Sequence, residues 1–269
     1  MTNDLTSVEI AKTIKKQVLY MTSRGKSSHI GSCLSICDIL TVLYKFYMVS
    51  NLHTNEFDRN RFILSKGHAG AALYATLAEF GYFNKELLET HYKNGSILSG
   101  HVSSCVPGVD ISTGSLGYGL GIAAGVALGF RKQSLKSQVF VLISDGELNC
   151  GPTWEAIQFI SHNNLNNLVL IVDYNKIQSL DKCANVLNPE PLVDRFLSFG
   201  LFVEECDGHD HDMLQKCLKL SCDSERPTVI IAHTTKGKGV SFMENTVLWH
   251  YRSPQGKEFI DALEELNHV

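Results

Sequence analysis

The chain has 269 residues, a length that favours one large α/β domain over two separate domains. Its residues are 44% hydrophobic and 19% charged, which provides for a buried core and argues against a mainly disordered chain. Lys and Arg number 24 against 28 Asp and Glu, so the formal net charge is -4. This balance predicts no broad basic face, and we expect no nucleic acid partner.

The sequence also predicts a cytoplasmic protein without a membrane segment. No apolar run approaches the roughly 20 residues that a membrane-spanning helix needs. Residues 1–16 are polar and amphipathic and lack the apolar core of a secretory signal. The eight cysteines form no CxxC pair, so we interpret them as small buried hydrophobes of a reducing compartment rather than as a disulfide or zinc framework.

The first half of the chain is predicted to be mainly helical. Apolar residues recur at helical spacing near the N-terminus, and an Ala-rich stretch follows the Lys66-Gly67-His68 turn. The predicted elements in chain order are helices over Leu5–Ser23 and Leu34–Val49, a strand over Arg61–Leu64, a helix ending at Gly81, and a Gly- and Ala-rich segment over Gly114–Leu128 that closes in a helix.

The second half alternates between strands and helices. The predicted strands are Val139–Ile143, Leu168–Val172, Leu201–Glu204 and Thr228–His233, and the predicted helices between them are Thr153–Asn163, Pro189–Phe199 and Asp210–Leu220. Apolar strands separated by helices are typical of a parallel sheet that is buried on both faces. We therefore expect an α/β fold with a parallel sheet, as a single domain over residues 1–269 with a C-terminal loop and helix at 245–269.

Polar residues follow the two most apolar strands, where open parallel sheets bind their ligands. Asp145 and Gly146 follow the first strand, and Asn175 follows the second. A carboxylate, an amide oxygen and a nearby backbone carbonyl are ligands that Mg2+ or Ca2+ accepts beside phosphate oxygens, and Gly146 allows a tight turn. The alternative is that Asp and Asn merely end the strands, as they often do.

A loop over Ser112–Gly119 leads into a predicted helix, where backbone N–H groups and the helix dipole can hold an anion. Such glycine-rich turns are also commonly structural.

Four histidines, His29, His68, His101 and His250, stand at loop-like positions and predict a polar pocket, since imidazoles can donate to hydroxyls, carbonyls or phosphates. Their spacing does not match that of zinc ligands.

Taken together, these motifs resemble the N-terminal part of transketolase. The matching stretches are Asp58–Ala69, Val106–Gly117, Ser144–Asn149, Asp173–Ile177 and Thr235–His250. They occur in the family's order and cover nearly the whole chain. The resemblance implies a three-layer thiamine-diphosphate-binding fold, in which this chain is the diphosphate-binding domain.

The resemblance also assigns roles to residues of this sequence. Asp145, Asn175 and the Ile177 carbonyl correspond to ligands of the Mg2+ that bridges the diphosphate of the cofactor. The remaining cofactor-binding positions are Gly146 and Glu147 near the diphosphate, His68 and His250 as hydrogen-bonding partners, and Gly114, Ser115 and Leu116 beside the aminopyrimidine and thiazolium rings. His29, His101 and His250 correspond to histidines that contact the sugar and move protons.

Five positions in four motifs depart from the family pattern. Ser144 replaces the usual Gly before the metal-binding Asp, and Tyr118 replaces a Gln in the glycine-rich loop. The loop around His29 reads Ser28-His29-Ile30-Gly31 in place of Gly-His-Pro-Gly, which changes the wall that faces the substrate. Cys150 replaces a Glu that normally links the two cofactor sites across a dimer.

The implied activity is transfer of a two-carbon ketol unit from a ketose donor to an aldehyde acceptor. A subunit that decarboxylates 2-oxo acids in a specialised sugar or natural-product pathway is the alternative, and a catalytically silent cofactor-binding subunit is a third possibility. The chain ends at Val269, shortly after Trp249-His250. We therefore expect a partner subunit that carries the pyrimidine-binding and C-terminal domains, in a heterotetramer.

Overall fold

The computed structural model describes residues 5–48 and 58–268. Five parallel strands form one sheet in the order β1-β2-β3-β5-β4. The strands are β1 (Arg61–Leu64), β2 (Val139–Ser144), β3 (Leu168–Tyr174), β4 (Phe202–Asp207) and β5 (Thr228–His233). Every residue of β2 and β3 is buried, as expected for central strands of a sheet covered on both faces.

Helices cover both faces of the sheet and make a three-layer fold, as predicted. One face packs against α5 (Gly119–Lys132), α6 (Gly151–His162) and α8 (Leu192–Ser198). The other face is covered by a layer of six helices. These are α1 (Ser7–Gly25), α2 (Ile30–Leu34), α3 (Cys37–Leu43), α4 (Gly70–Glu79), α9 (His211–Cys222) and α10 (Lys257–His268). The short helix α7 (Cys183–Val186) lies in the loop after β3.

Five shorter helical turns complete the described elements. A π-helical turn at Tyr44–Met48 extends α3, and four 3-10 turns lie at Gly67–Ala69, Lys85–Thr90, Asp145–Asn149 and Leu248–His250. Three of these 3-10 turns contain or adjoin predicted site residues, so the site is built largely from tight turns rather than from regular helices.

The helix predicted over Leu34–Val49 is wrong in its limits, and Val49 itself lies outside the described residues. Helical structure begins at Ile30, is interrupted at Ser35 and Ile36, and resumes as α3. The Ser35 hydroxyl donates to the buried Asp173 carboxylate at 2.8 Å, and this contact ties the break to the centre of the sheet. A side-chain contact over this sequence distance leaves no periodic signal in the sequence.

The loop predicted over Ser112–Gly119 leads into α5, which begins at Gly119. One other predicted helix begins later than expected. The helix predicted from Pro189 begins at Leu192, whose N–H donates to the Glu190 carboxylate at 2.7 Å. The polar residues before this helix form a turn instead.

One stretch is apolar and long enough to meet the criteria for a membrane span, contrary to the sequence expectation. It covers Ile30–Met48, with a mean hydropathy of 1.3, and 83% of it is buried inside the domain. Because α2, α3 and the π-helical turn pack within one layer of the fold, this stretch is a core element.

All eight cysteines are free thiols, and five of them are buried.

Candidate active site

A cavity of about 260 Å³ lies at the carboxyl ends of β2, β3 and β5. Strand register places Ser144 opposite Asp173, so the residues that follow β2 and β3 share one edge of the sheet. The structure brings ten of the predicted site residues to this cavity, namely His29, His68, His101, Gly114, Leu116, Asp145, Gly146, Asn175, Ile177 and His250.

Asp145 lies in the turn after β2, where backbone N–H groups orient its carboxylate. Ser144 caps this turn, because its hydroxyl accepts from the Glu147 N–H at 3.2 Å. The Asp145 carboxylate accepts from the Gly146 N–H at 2.8 Å and from the Lys176 N–H at 2.5 Å. Burial, together with the nearby charge of Asp173, raises the pKa of Asp145 to about 6.

Asn175 and Ile177 supply oxygens from the turn after β3. The Asn175 amide nitrogen donates to Asp173 at 2.9 Å, and its oxygen accepts from the Ile177 N–H at 3.1 Å. The Ile177 carbonyl accepts from the Lys236 ammonium at 2.9 Å. Each of these oxygens keeps a second lone pair, and one carboxylate, one amide and one peptide oxygen are a donor set that fits Mg2+.

The described residues contain no group of three His, Cys, Asp or Glu side chains placed to hold a metal ion. The set of Asp145, Asn175 and Ile177 differs from such a group, since only one of its three donors is an ionisable side chain. Its fit to Mg2+ therefore rests on the preference of this ion for oxygen ligands.

Two buried lysines that are not among the predicted site residues, Lys66 and Lys236, line the same cavity. Lys66 forms an ion pair with Asp173 and donates to the Ser32 carbonyl at 3.2 Å. Lys236 lies 3.1 Å from Nδ1 of His250, and burial together with the charge of Lys66 lowers its pKa to about 8. Both lysines follow strands, β1 and β5, so the rule that selected Asp145 would also have selected them.

The four histidines converge, as predicted from the sequence. The His29 ring centroid lies 4.9 Å from that of His250, 5.1 Å from that of His68 and 6.0 Å from that of His101. Burial, reinforced by neighbouring positive charges, lowers the pKa of His29 to about 4 and that of His250 to about 3. The pKa of His68 is also well below its ordinary value, for the same reason. These three rings are therefore neutral at pH 7 and can both donate and accept hydrogen bonds.

Two predicted cofactor-binding residues do not line the cavity. Ser115 is exposed on the loop before α5. Glu147 is fully buried behind the wall, where its carboxylate accepts from the Ser65 hydroxyl and from the Gly117 N–H at 2.8 Å. Glu147 thus joins the glycine-rich loop to the Asp145 turn and holds the shape of the cavity from outside.

A second polar cavity of about 280 Å³ adjoins the first, and His29, His68 and His101 line both. Its further wall contains several hydroxyl and imidazole groups, from Ser27, Ser28, His91, Tyr92 and Ser99. Ser28, at the position where the family has Gly, donates to the Tyr251 carbonyl at 3.0 Å. His29 itself takes a left-handed backbone conformation with φ of 76°. The loop over residues 28–31, which departs from the family pattern, therefore lines the second cavity through Ser28 and His29.

Comparisons with known proteins agree with this geometry. The family model for the thiamine diphosphate binding domain of transketolase matches residues 6–266. The chain is 36% identical over 255 residues to an apulose-4-phosphate transketolase subunit of Phocaeicola vulgatus, covering 94% of this chain and 91% of the relative. It is 38% identical over 244 residues to a 6-deoxy-6-sulfo-D-fructose transketolase subunit of a Clostridium strain, covering 89% of this chain and 88% of the relative.

Among solved structures, the transketolase of Campylobacter jejuni superposes with a TM-score of 0.89 at 29% identity. The match covers 97% of this chain but spans only 42% of that enzyme. The family match, the relatives and the fold agree with the motifs at the cavity. The chain belongs to the transketolase family and corresponds to its thiamine-diphosphate-binding domain.

Proposed function

We propose that this chain is the N-terminal subunit of a split transketolase, which transfers a two-carbon ketol unit from a ketose to an aldehyde. The observation that carries the proposal is the convergence of four histidines with the oxygens of Asp145, Asn175 and Ile177 in one cavity. Oxygen ligands bind a metal and a diphosphate, and neutral imidazoles bind and deprotonate sugar hydroxyls. The two sets together suit ketose chemistry.

In this proposal the metal set holds Mg2+, which neutralises part of the diphosphate charge. His68, His250 and the ammonium of Lys236 bind the remaining phosphate oxygens. Gly146 brings backbone close to the diphosphate, because it has no side chain. The loop of Gly114, Ser115 and Leu116 lies beside the cofactor rings, with Gly114 and Leu116 lining the cavity and Ser115 exposed in the chain alone. Glu147 supports this wall from behind by holding the Gly117 N–H.

Thiamine diphosphate, when bound, supplies the carbon nucleophile and the electron sink for cleavage and formation of the C–C bond. The residues of the chain bind, orient and move protons. A neutral His29 can accept a proton from a donor hydroxyl, and the neighbouring His101 can donate to a carbonyl oxygen. His250 lies between His29 and Lys236, and it links the sugar-facing and phosphate-facing sides.

The substrate is proposed to be a ketose that carries an anionic group. The relatives are named for a phosphorylated and a sulfonated sugar, and these names favour ketol transfer over decarboxylation of a 2-oxo acid. The residues that line the two cavities include no arginine. We therefore assign recognition of the anionic end of the sugar to the partner subunit.

A partner subunit with pyrimidine-binding and C-terminal domains, in a cytoplasmic heterotetramer, completes the proposal. Two kinds of observation support it: the relatives are named as subunits, and apolar side chains beside the cavity are exposed. Tyr118, Leu180 and Tyr251 each stand within a few positions of a cavity-lining residue, and they are 60%, 75% and 54% exposed. Apolar surface of this kind is typical of an interface.

The test is an assay with xylulose 5-phosphate or pyruvate as donor, Mg2+ and thiamine diphosphate, on the chain alone and with its partner. We expect turnover with the ketose, and only in the presence of the partner. Robust ketol transfer by the isolated chain would refute the split enzyme. Turnover of pyruvate alone would establish the alternative, and binding of the cofactor without any turnover would indicate a silent subunit.

A further inference from the structure

A buried cluster of charged and polar side chains lies outside the cavity, between α1, α3 and α9. Its centre is Asp38, whose carboxylate accepts from Lys15 at 2.9 Å, from Nδ1 of His209 at 2.7 Å and from Nε2 of His211 at 3.3 Å. Asp38 is 3% exposed, so water does not compete for these contacts. None of these four residues lines the proposed cofactor cavity.

His209 connects this cluster to the cavity. Its second ring nitrogen, Nε2, lies 2.8 Å from the backbone nitrogen of Thr235, the residue directly before Lys236. A backbone N–H can only donate, so Nε2 accepts and carries no proton. The ring proton is then on Nδ1, where it is donated to Asp38, and the two contacts together specify one neutral tautomer.

Two further backbone hydrogen bonds hold the segment that follows Thr235. The Gly237 N–H donates to the Gly31 carbonyl at 3.0 Å, and the Lys236 carbonyl accepts from the Asn245 N–H at 2.9 Å. Gly237 has φ of +82°, and a Cβ there would lie 2.5 Å from the Met243 carbonyl oxygen, so the turn requires glycine. The other two contacts join backbone atoms, whereas His209 uses its side chain to accept from the Thr235 N–H at the start of the turn.

From this turn the Lys236 side chain runs into the cavity. It passes Gly31, where an added Cβ would lie 3.2 Å from Lys236 Cγ, and its ammonium reaches the Ile177 carbonyl and Nδ1 of His250. A small displacement of the Thr235 amide would therefore move the Lys236 ammonium away from these two partners.

We infer that His209 is a positioning residue of the cofactor site: by accepting from the Thr235 N–H, it sets the turn that places the Lys236 ammonium. The inference rests on the proposed function, because Lys236 is assigned there to the diphosphate. Asp38 contributes by fixing the ring tautomer that leaves Nε2 able to accept. Asp38 and His209 thus act through the backbone, without touching cofactor or substrate.

The test compares two amide substitutions on the full chain. His209→Gln can place an amide oxygen near the position of Nε2 and keep the acceptor for Thr235. His209→Asn is shorter, and it can donate to Asp38 but does not reach Thr235. His211→Asn is the matched control, because it removes a contact with the same Asp38 carboxylate and makes none with Thr235.

Two measurements decide the outcome: hydrogen exchange of the Thr235 and Lys236 amides, and calorimetric binding of thiamine diphosphate with Mg2+. We expect His209→Asn to speed exchange and to weaken binding by about tenfold, the effect of one lost hydrogen bond. His209→Gln should stay within about threefold of the wild type in both, and His211→Asn should leave both unchanged.

Equal losses in the Gln and Asn variants, or unchanged exchange in His209→Asn, would overturn the inference and leave the proposed function standing. A wild-type chain that binds no thiamine diphosphate, alone or with its partner, would overturn the proposed function instead. In that case the exchange data would still decide whether His209 positions the turn.

Discussion

The Asp173 carboxylate and the Asn175 amide are joined by a 2.9 Å hydrogen bond that orients the amide oxygen away from Asp173. Asp173 is fully buried and also accepts from Lys66, Ser35 and Thr234. Burial alone would raise the pKa of Asp173, but the Lys66 charge and these hydrogen bonds outweigh it and hold the pKa below its usual value. The carboxylate is therefore charged, and it defines the amide orientation that the proposed metal site requires.

The first prediction concerns this carboxylate. Asp173→Asn leaves the Lys66 ammonium buried without its counter-charge, so we expect a loss of about 3–5 kcal/mol in the free energy of unfolding. Urea unfolding measures this change. Asp181→Asn, in an exposed loop of the same turn region, is the control and should change stability by less than about 0.5 kcal/mol. A loss below about 1 kcal/mol in Asp173→Asn would contradict the ion-pair interpretation.

The second prediction is that Mg2+ and thiamine diphosphate bind together. Asp145→Ala removes the only carboxylate of the proposed metal set, so we expect Mg2+-dependent cofactor binding to be lost in calorimetry. Asp145→Asn keeps the shape of the side chain but removes its charge, and it should also bind poorly. Wild-type cofactor affinity in either variant would show that Asp145 is not a metal ligand.

The third prediction separates substrate-facing from cofactor-facing histidines. His29 and His101 line both cavities, so His29→Ala and His101→Ala should reduce turnover at least a hundredfold, the usual scale of a general acid or base. Their affinity for thiamine diphosphate should change much less. His68→Ala is the comparison, because we assign His68 to the cofactor. Matched losses of turnover and cofactor affinity in His29→Ala would reassign it to diphosphate binding.

The fourth prediction is a pH dependence of stability that arises from His91. Burial lowers the pKa of His91 to about 4, whereas an unfolded chain titrates near its ordinary value of 6.5. Between these pH values the unfolded state binds a proton that the folded state does not, so stability falls as the pH falls from about 6.5 towards 4. The expected slope from this residue is up to about 1.4 kcal/mol per pH unit.

His91→Phe should flatten the stability profile in that window, although the Ser27 hydroxyl loses its 3.1 Å partner at every pH. His162 is exposed at the end of α6, and His162→Gln should leave the profile unchanged. Thermal unfolding at pH 7, 6 and 5 distinguishes these cases. An unaltered slope in His91→Phe would show that this imidazole does not titrate differently on folding.

The fifth prediction is that Cys150→Glu is tolerated. Cys150 precedes α6, is half-buried and free, and lies beside Gly117. A carboxylate near a helix N-terminus is favourable by about 0.3–1 kcal/mol, which offsets repulsion from the nearby Glu147. We expect the free energy of unfolding to stay within about 1 kcal/mol of the wild type. Gross unfolding would indicate that the packing here has been rebuilt around the thiol.

The strands were the most predictable part of the fold. Arg61–Leu64 and Thr228–His233 have the predicted limits, because each contains a continuous apolar run with polar residues at or next to its ends. The position of Asp145 beside Asn175 followed from the same topology, since adjacent parallel strands end at one edge.

The features that the sequence does not predict depend on contacts between distant residues, and such contacts leave no periodic signal in the sequence. The position of Lys66 after β1 is a signal that the sequence carries, but its burial depends on Asp173, 107 positions further along the chain. The resemblance places Glu147 near the diphosphate, but nothing in the sequence indicates that its buried carboxylate accepts from Ser65, Gly117 and Ser144. The break at Ser35 has the same origin, a hydroxyl drawn to Asp173.

The site is closed by contacts between the two ends of the sequence. The His29 N–H donates to the His250 carbonyl at 3.0 Å, and the neighbouring Ser28 hydroxyl reaches the Tyr251 carbonyl across 223 positions. During synthesis, the loop that carries His29 leaves the ribosome long before its partner segment exists. The sheet can assemble earlier, but the histidine cluster forms only when residues near 250 have emerged. A nascent chain stalled before this point should therefore hold a folded sheet that does not yet retain the cofactor.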